Sequence, residues 1–264
     1  MKTSSTFLAV VLIVVGTVIL VGNLLGVEVW GLVWAAFLIL VGLWVLWGAL
    51  YGRRVVHADE VTIPLEGAQT ARLHLRHAAG RLLLGGGTTA GELLAGSFGG
   101  GVEHSERRAG DSLEVDLRVP PENLFGFVMP WTWPGGLVWS VRLSDVLPLS
   151  LDIGSGASEM RLDLTDLRVS DLKVEAGAGK VDLHLPSKAG QTKADVRAGA
   201  GSVTVTVPEG VAARIQCGGA ITDARVDRRR FPRSGGLYQS PDYDTAANRV
   251  DLRIEMAVGS AVVR

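Results

Sequence analysis

A chain of 264 residues can form one large domain or two modest ones. It carries 26 basic and 27 acidic groups, a balance that excludes a general electrostatic pull on nucleic acid. Its single cysteine, Cys217, excludes an internal disulfide and fits a reducing compartment.

The mean hydropathy of +0.29 is high for a soluble chain, and the apolar excess is concentrated at the N-terminal end. Residues 7–25 (FLAVVLIVVGTVILVGNLL) are apolar except for Thr17 and Asn23, and residues 30–51 (WGLVWAAFLILVGLWVLWGALY) hold no charge. Each run is about 20 residues, enough at a helical rise of about 1.5 Å to span a hydrocarbon core of about 30 Å. Neither has the polar face of a soluble helix. A two-helix transmembrane hairpin within residues 1–52 is expected. Lys2 precedes it, Arg53 and Arg54 follow it, and the connection at 26–29 offers only Glu28. The positive-inside bias therefore places both termini, and the domain that follows, in the cytoplasm. Trp30, Trp44 and Trp47, with Arg53 and Arg54, suit interfacial anchors.

After a linker at 53–60 the character changes. Clusters of small residues recur between alternating segments: LHLRHAAGRLLL (73–84), LDIGSGASEMRLDL (151–164), LKVEAGAGKVDLHL (172–185), ADVRAGAGSVTVTV (194–207) and LRIEMAVGSAVV (252–263), with a looser relative at 214–226. Gly156, Gly179 and Gly201 are 23 and 22 residues apart, the spacing of a solenoid-like stack. Val181, Leu183 and Leu185 alternate with Asp182 and His184, which is the pattern of a strand buried on one face. Pro186 and Pro208 close successive units at matching positions. Residues 61–264 thus read as an all-β domain of stacked short strands, with glycine corners between them and a closing strand near 252–263. The glycines fit bulges with positive φ, or places where stacked backbones approach closely.

An insertion at about 119–138 interrupts the repeat. Phe125, Phe127, Trp131 and Trp133 sit there among prolines and glycines. They either cap one end of the β-core or form an apolar tip for the membrane or a partner. Trp139 opens an alternating run (WSVRLSDV) and is expected in the core.

Residue chemistry points away from catalysis. The string GAGK at 177–180 lacks the upstream glycine and the following Ser or Thr of a phosphate loop, and a strand, not a helix, follows it. His74 and His77 stand three apart on a strand and face opposite sides, which disfavours a zinc pair. His57, His104 and His184 are scattered. Asp152, Asp163, Asp166, Asp171 and Asp182 recur without calcium-loop spacing. Cys217, in RIQCGGA, reads as an inert, partly buried thiol. The cluster Arg228, Arg229 and Arg230 is either a solvated turn or a contact for anionic lipid headgroups. No catalytic, metal or cofactor residue is nominated.

The hairpin, the GxG-bearing strands from about Trp139 to Val263 and the segment SPDYDTAAN (240–248) together resemble the LiaF-like cell-wall-active-antibiotics-response proteins. That resemblance implies a toastrack β-domain and a non-enzymatic membrane accessory protein in envelope-stress signalling. It also implies a membrane histidine kinase of a two-component system as partner. The expected partners are the lipid bilayer, such a kinase and a second copy of the chain, with no nucleic acid. The alternative is a structural scaffold that self-associates through the edges of its β-domain.

Overall fold

The computed structural model describes residues 58–120 and 137–264, together with the helical positions Trp34, Leu38, Ile39 and Gly42; at Ile221 and Thr222 only the backbone is described. The two long stretches belong to one compact unit and the four helical positions to another. Trp34, Leu38 and Ile39 are exposed. Among the described residues no helix is long and apolar enough to cross a membrane. Those four positions aside, the expected spans at 7–25 and 30–51 and the anchors Trp30, Trp44, Trp47, Arg53 and Arg54 lie outside the described residues, as do Phe125, Phe127, Trp131 and Trp133.

The main unit is all β. Its strands are β1 (Ala58–Pro64), β2 (Thr70–Gly86), β3 (Glu92–Gly99), β4 (Glu103–Ala109), β5 (Ser112–Arg118), β6 (Val138–Leu143), β7 (Pro148–Asp163), β8 (Arg168–His184), β9 (Gln191–Thr206), β10 (Ala212–Val226), β11 (Arg233–Ser234), β12 (Leu237–Gln239) and β13 (Arg249–Val263). They form one mixed sheet in the order β1-β3-β6-β2-β7-β8-β9-β13-β10-β12-β11, with β5 also on β2 and β4 on β5. The central run from β2 to β10 is parallel throughout.

Two features differ from the sequence reading. The central strands are long, 15 to 17 residues each, and run through the glycine clusters instead of ending at them. The segment near 252–263 does not close the sheet: β13 lies inside it, parallel to β9 on one side and β10 on the other.

The small-residue cluster is a corner repeated at one level in every central strand. Residues pair without a slip on either side of Gly156 and Gly177, and of Gly177 and Gly199, yet those glycines themselves fall out of the pairing. The step from Ala176 to Val181, and from Ala198 to Val203, is five residues, which resets the alternation. In β8 buried positions include Leu172, Val174 and Ala176 before the cluster and Val181 and Leu183 after it, followed by Leu185 just beyond the strand. In β9 they include Ala194, Val196 and Ala198, then Val203 and Val205, followed by Val207 just beyond the strand. The same face of the sheet is therefore inside on both arms, and residues of both arms belong to one hydrophobic cluster. The sheet folds over at the glycine level so that its two arms face each other across that core.

Close approach explains the residue choice. A Cβ on Gly177 would stand 2.5 Å from the carbonyl oxygen of Gly156, and one on Gly156 would stand 2.6 Å from that of Ala78. Gly201, at φ +130°, is barred twice, because its Cβ would also collide with the carbonyl of Gly179.

Beyond β2 the two arms part. The first arm of β2 (70–76) continues into β5 and then β4, whereas its second arm (81–86) continues into β6, β3 and β1. The insertion thus leaves from a strand of one layer, β5, and returns into a strand of the other, β6. Trp139, on β6, is fully buried against Phe98, with ring centroids 5.1 Å apart in an edge-to-face contact.

Candidate contact surfaces

The outer face of the first arms carries rows of charge. Pairing brings His74 beside Asp152, Asp152 beside Lys173, Lys173 beside Asp195, and Asp195 beside Arg253. The next row runs Glu175, Arg197, Glu255. Signs alternate from strand to strand, which is the favourable cross-strand arrangement in a sheet. The groups spend their charge on neighbours: Arg76 Nη2 donates to Asp152 Oδ2 at 3.1 Å, Lys173 Nζ lies 2.9 Å from Glu175, and Arg197 binds Asp195 at 2.9 Å and Glu255 at 3.5 Å. Arg253 also pairs with Glu255. On the second arm Glu159 accepts from Arg81 and Arg161, and those bonds, Arg161 foremost, hold its carboxyl below its usual range. Single sequence reading missed these rows because partners lie some twenty or more residues apart. The trace was there in the sign change of equivalent positions: Asp152, Lys173, Asp195.

Above the glycine level a shallow groove of about 690 Å³ crosses β7, β8, β9 and β13. Its walls include Glu175, Arg197 and Glu255, and its floor is backbone at Gly177 and Gly199. Lys180 of GAGK is exposed within the continuous strand β8.

His74 and His77 do face opposite sides. His74 lies 3.3 Å from Glu114 and 3.6 Å from Asp152 on the outer face. His77 is 3% exposed; its Nε2 lies 3.2 Å from the carbonyl of Leu137 and its Nδ1 3.4 Å from Ser155 Oγ. With Nε2–H donating to that carbonyl, Nδ1 is left to accept from the hydroxyl. Burial pushes the His77 pKa down to about 4, against a smaller opposing effect of the Leu137 carbonyl, so the ring is neutral at pH 7. Leu137 immediately precedes β6, and its carbonyl also accepts from the Arg81 N–H at 2.9 Å. Among the described residues no cluster of three or more His, Cys, Asp or Glu could hold a metal.

The basic turn divides in two. Arg230 sends Nη1 to the carbonyl of Val207 at 2.7 Å and Nη2 to that of Pro208 at 3.0 Å, capping the end of β9. Arg228 and Arg229 remain exposed. Cys217 is half-buried, and burial raises its thiol pKa. The segment 240–248 is also part of the fold: Ser240 Oγ accepts from the Ala213 N–H at 2.9 Å, and Asn248 Oδ1 from the Gly190 N–H at 3.1 Å. Tyr243 is buried beneath Arg214, whose guanidinium carbon lies 4.1 Å from the ring centroid. Burial, with the Asp251 carboxylate beside it, pushes its phenol up to about 12.

Comparison with known proteins follows the same lines. No curated protein matches the chain. A solved structure described as a putative cell adhesion protein, from Clostridium sporogenes ATCC 15579, is similar with a TM-score of 0.68 and 20% identity, over 78% of this chain and 97% of that one. At that identity the likeness concerns the fold alone. A second, described as a putative adhesin from Bacteroides fragilis NCTC 9343, covers the same shares at 6% identity, but its TM-score of 0.23 carries no argument. The family model for the N-terminal domain of toast_rack, DUF2154, matches residues 52–206, more than half of the sequence. The chain belongs to the toast_rack family through this N-terminal domain.

Proposed function

We propose that the chain is a membrane-anchored accessory protein whose β-domain is a docking body, and that it acts in cell-envelope stress signalling by modulating a membrane histidine kinase, as the LiaF-like resemblance implies. The observation that carries the docking reading is the way the outer face uses its charges. Asp152, Lys173, Asp195, Arg197 and Glu255 are held in rows by their neighbours instead of converging on one reacting atom. A stiff, charge-striped plate with a backbone-floored groove suits the recognition of another protein better than it suits bond making. The apolar runs at 7–25 and 30–51 support the anchor, and the exposed Arg228 and Arg229 suit contact with anionic headgroups.

The test is cross-linking of the tagged full chain in its own membranes, followed by identification of the captured proteins. Recovery of a sensor kinase, reduced by charge reversal at Glu175 and Arg197 together, supports the reading. Repeated capture of no kinase overturns it.

A further inference from the structure

We propose that the outer edge of β10 is a self-pairing edge, through which two copies of the chain join antiparallel about a two-fold axis at Ala224. β10 pairs with β13 along its whole length, but on its other side β12 covers only Arg214 and Ile215. From Gln216 to Val226 no described residue pairs with that side. Two other outer edges are protected in ways known to block pairing. β4 carries Glu103, His104, Glu106, Arg107 and Arg108, and β1 carries adjacent Asp59 and Glu60 and ends in Pro64. β10 holds no proline, and the two charges of its 222–226 stretch, Asp223 and Arg225, are opposite in sign and so can complement a second copy.

Hydrogen-bond direction and charge select the register. The Asp227 N–H donates to Val263 of β13 at 3.0 Å. Peptide groups alternate sides along a strand, so Val226 and Ala224 direct their N–H and C=O groups to the open side. Ala224 opposite Ala224 of a second copy is then a hydrogen-bonded pair, flanked by Thr222 opposite Val226, for about six backbone hydrogen bonds in all. The same register sets Asp223 against Arg225 of the second copy, and Arg225 against its Asp223. Both side chains are exposed on the outer face, where they already pair within one chain at 2.9 Å. Ala224 and Val226 lie on the core-facing side, beside Ala261 and Val263 of β13, so the hydrophobic layer continues across the axis. The occupant is a second copy because the edge complements itself in charge, in backbone groups and in inner face.

The contact does not depend on the kinase reading, and its test involves no kinase. Two differently tagged full-length chains, Asp223→Cys and Arg225→Cys, each also Cys217→Ser, are co-expressed and oxidised in isolated membranes. Opposed residues of a non-hydrogen-bonded pair, about 4.5 Å apart at Cα, lie within disulfide reach. The expected result is a cross-link between the two different chains and little between like chains, whose cysteines are offset by two residues. Light scattering on the purified full chain gives the second readout. Arg225→Asp places like charges opposite each other twice and weakens dimerisation roughly tenfold or more. Asp223→Arg with Arg225→Asp restores it, and Ala224→Pro, which removes an outward N–H, abolishes it. A monomer at all concentrations, cross-linking of like chains as efficient as of unlike ones, or dimerisation unchanged by Arg225→Asp in a chain that keeps its β circular dichroism would overturn the proposal.

Discussion

Replacing Gly201 by alanine tests whether the glycine level is set by close approach between strands. Gly201 has φ +130°, outside the range an L side chain adopts readily, and its Cβ would collide with the Gly179 carbonyl. Backbone strain of this kind costs about 1–3 kcal/mol. Forcing a methyl group into packed backbone adds about 1–3 kcal/mol. Together the loss is about 2–6 kcal/mol. Gly210 is the control: it also has positive φ, +79°, but its Cβ would meet nothing within 4 Å. Gly210→Ala therefore carries only the conformational penalty, about 1–2 kcal/mol. Guanidinium unfolding of the full chain, followed by far-ultraviolet circular dichroism, measures both. Equal losses in the two variants would refute the close-approach account, since strain alone would then explain both glycines.

Three further outcomes follow from particular side chains. His77 is neutral when folded and takes up a proton more readily when unfolded, so its contribution is intact above about pH 6.5 and is lost as pH falls towards 4. The loss approaches about 3 kcal/mol, so His77→Gln, which keeps an N–H near Leu137, has the shallower acid profile; parallel stability curves between pH 7 and pH 4 would contradict this. Arg230→Ala removes both bonds to the carbonyls of Val207 and Pro208 and lowers stability by about 1–3 kcal/mol, whereas Arg228→Ala and Arg229→Ala stay within about 0.5 kcal/mol in the same denaturation assay. The Cys217 thiol, half-buried and raised in pKa, reacts slowly with a thiol reagent in the native chain and at the rate of free cysteine after denaturation.

Much of the β-domain was legible in the residues. Alternation in VDLHL and VTVTV identified the buried positions Val181, Leu183, Leu185, Val203 and Val205, because a half-buried strand shows its period directly. The glycine spacing identified the repeat and the close approach. The continuity of strands through the clusters was not legible, since a loop between two short strands and a bend within one long strand use the same residues and differ only in whether pairing resumes in register beyond them. Nor was the place of β13, because its alternation matches that of every other central strand and its neighbours are fixed by distant backbone pairing. Of the contact surfaces, the split of the arginine cluster was hidden for a similar reason. Nothing local marks Arg230 as the one whose guanidinium reaches the end of β9.

The position of β13 has a consequence for how the molecule is made. β9 and β10 are consecutive in the chain but do not pair with each other; the last strand, Arg249–Val263, stands between them. A growing chain must therefore hold a vacant slot, with the edges of β9 and β10 waiting, until β13 has been made. β13 is a keystone. Loss of its second arm would strip the second arms of β9 and β10 of their shared neighbour and leave two edges exposed, inviting intrusion by strands of other chains.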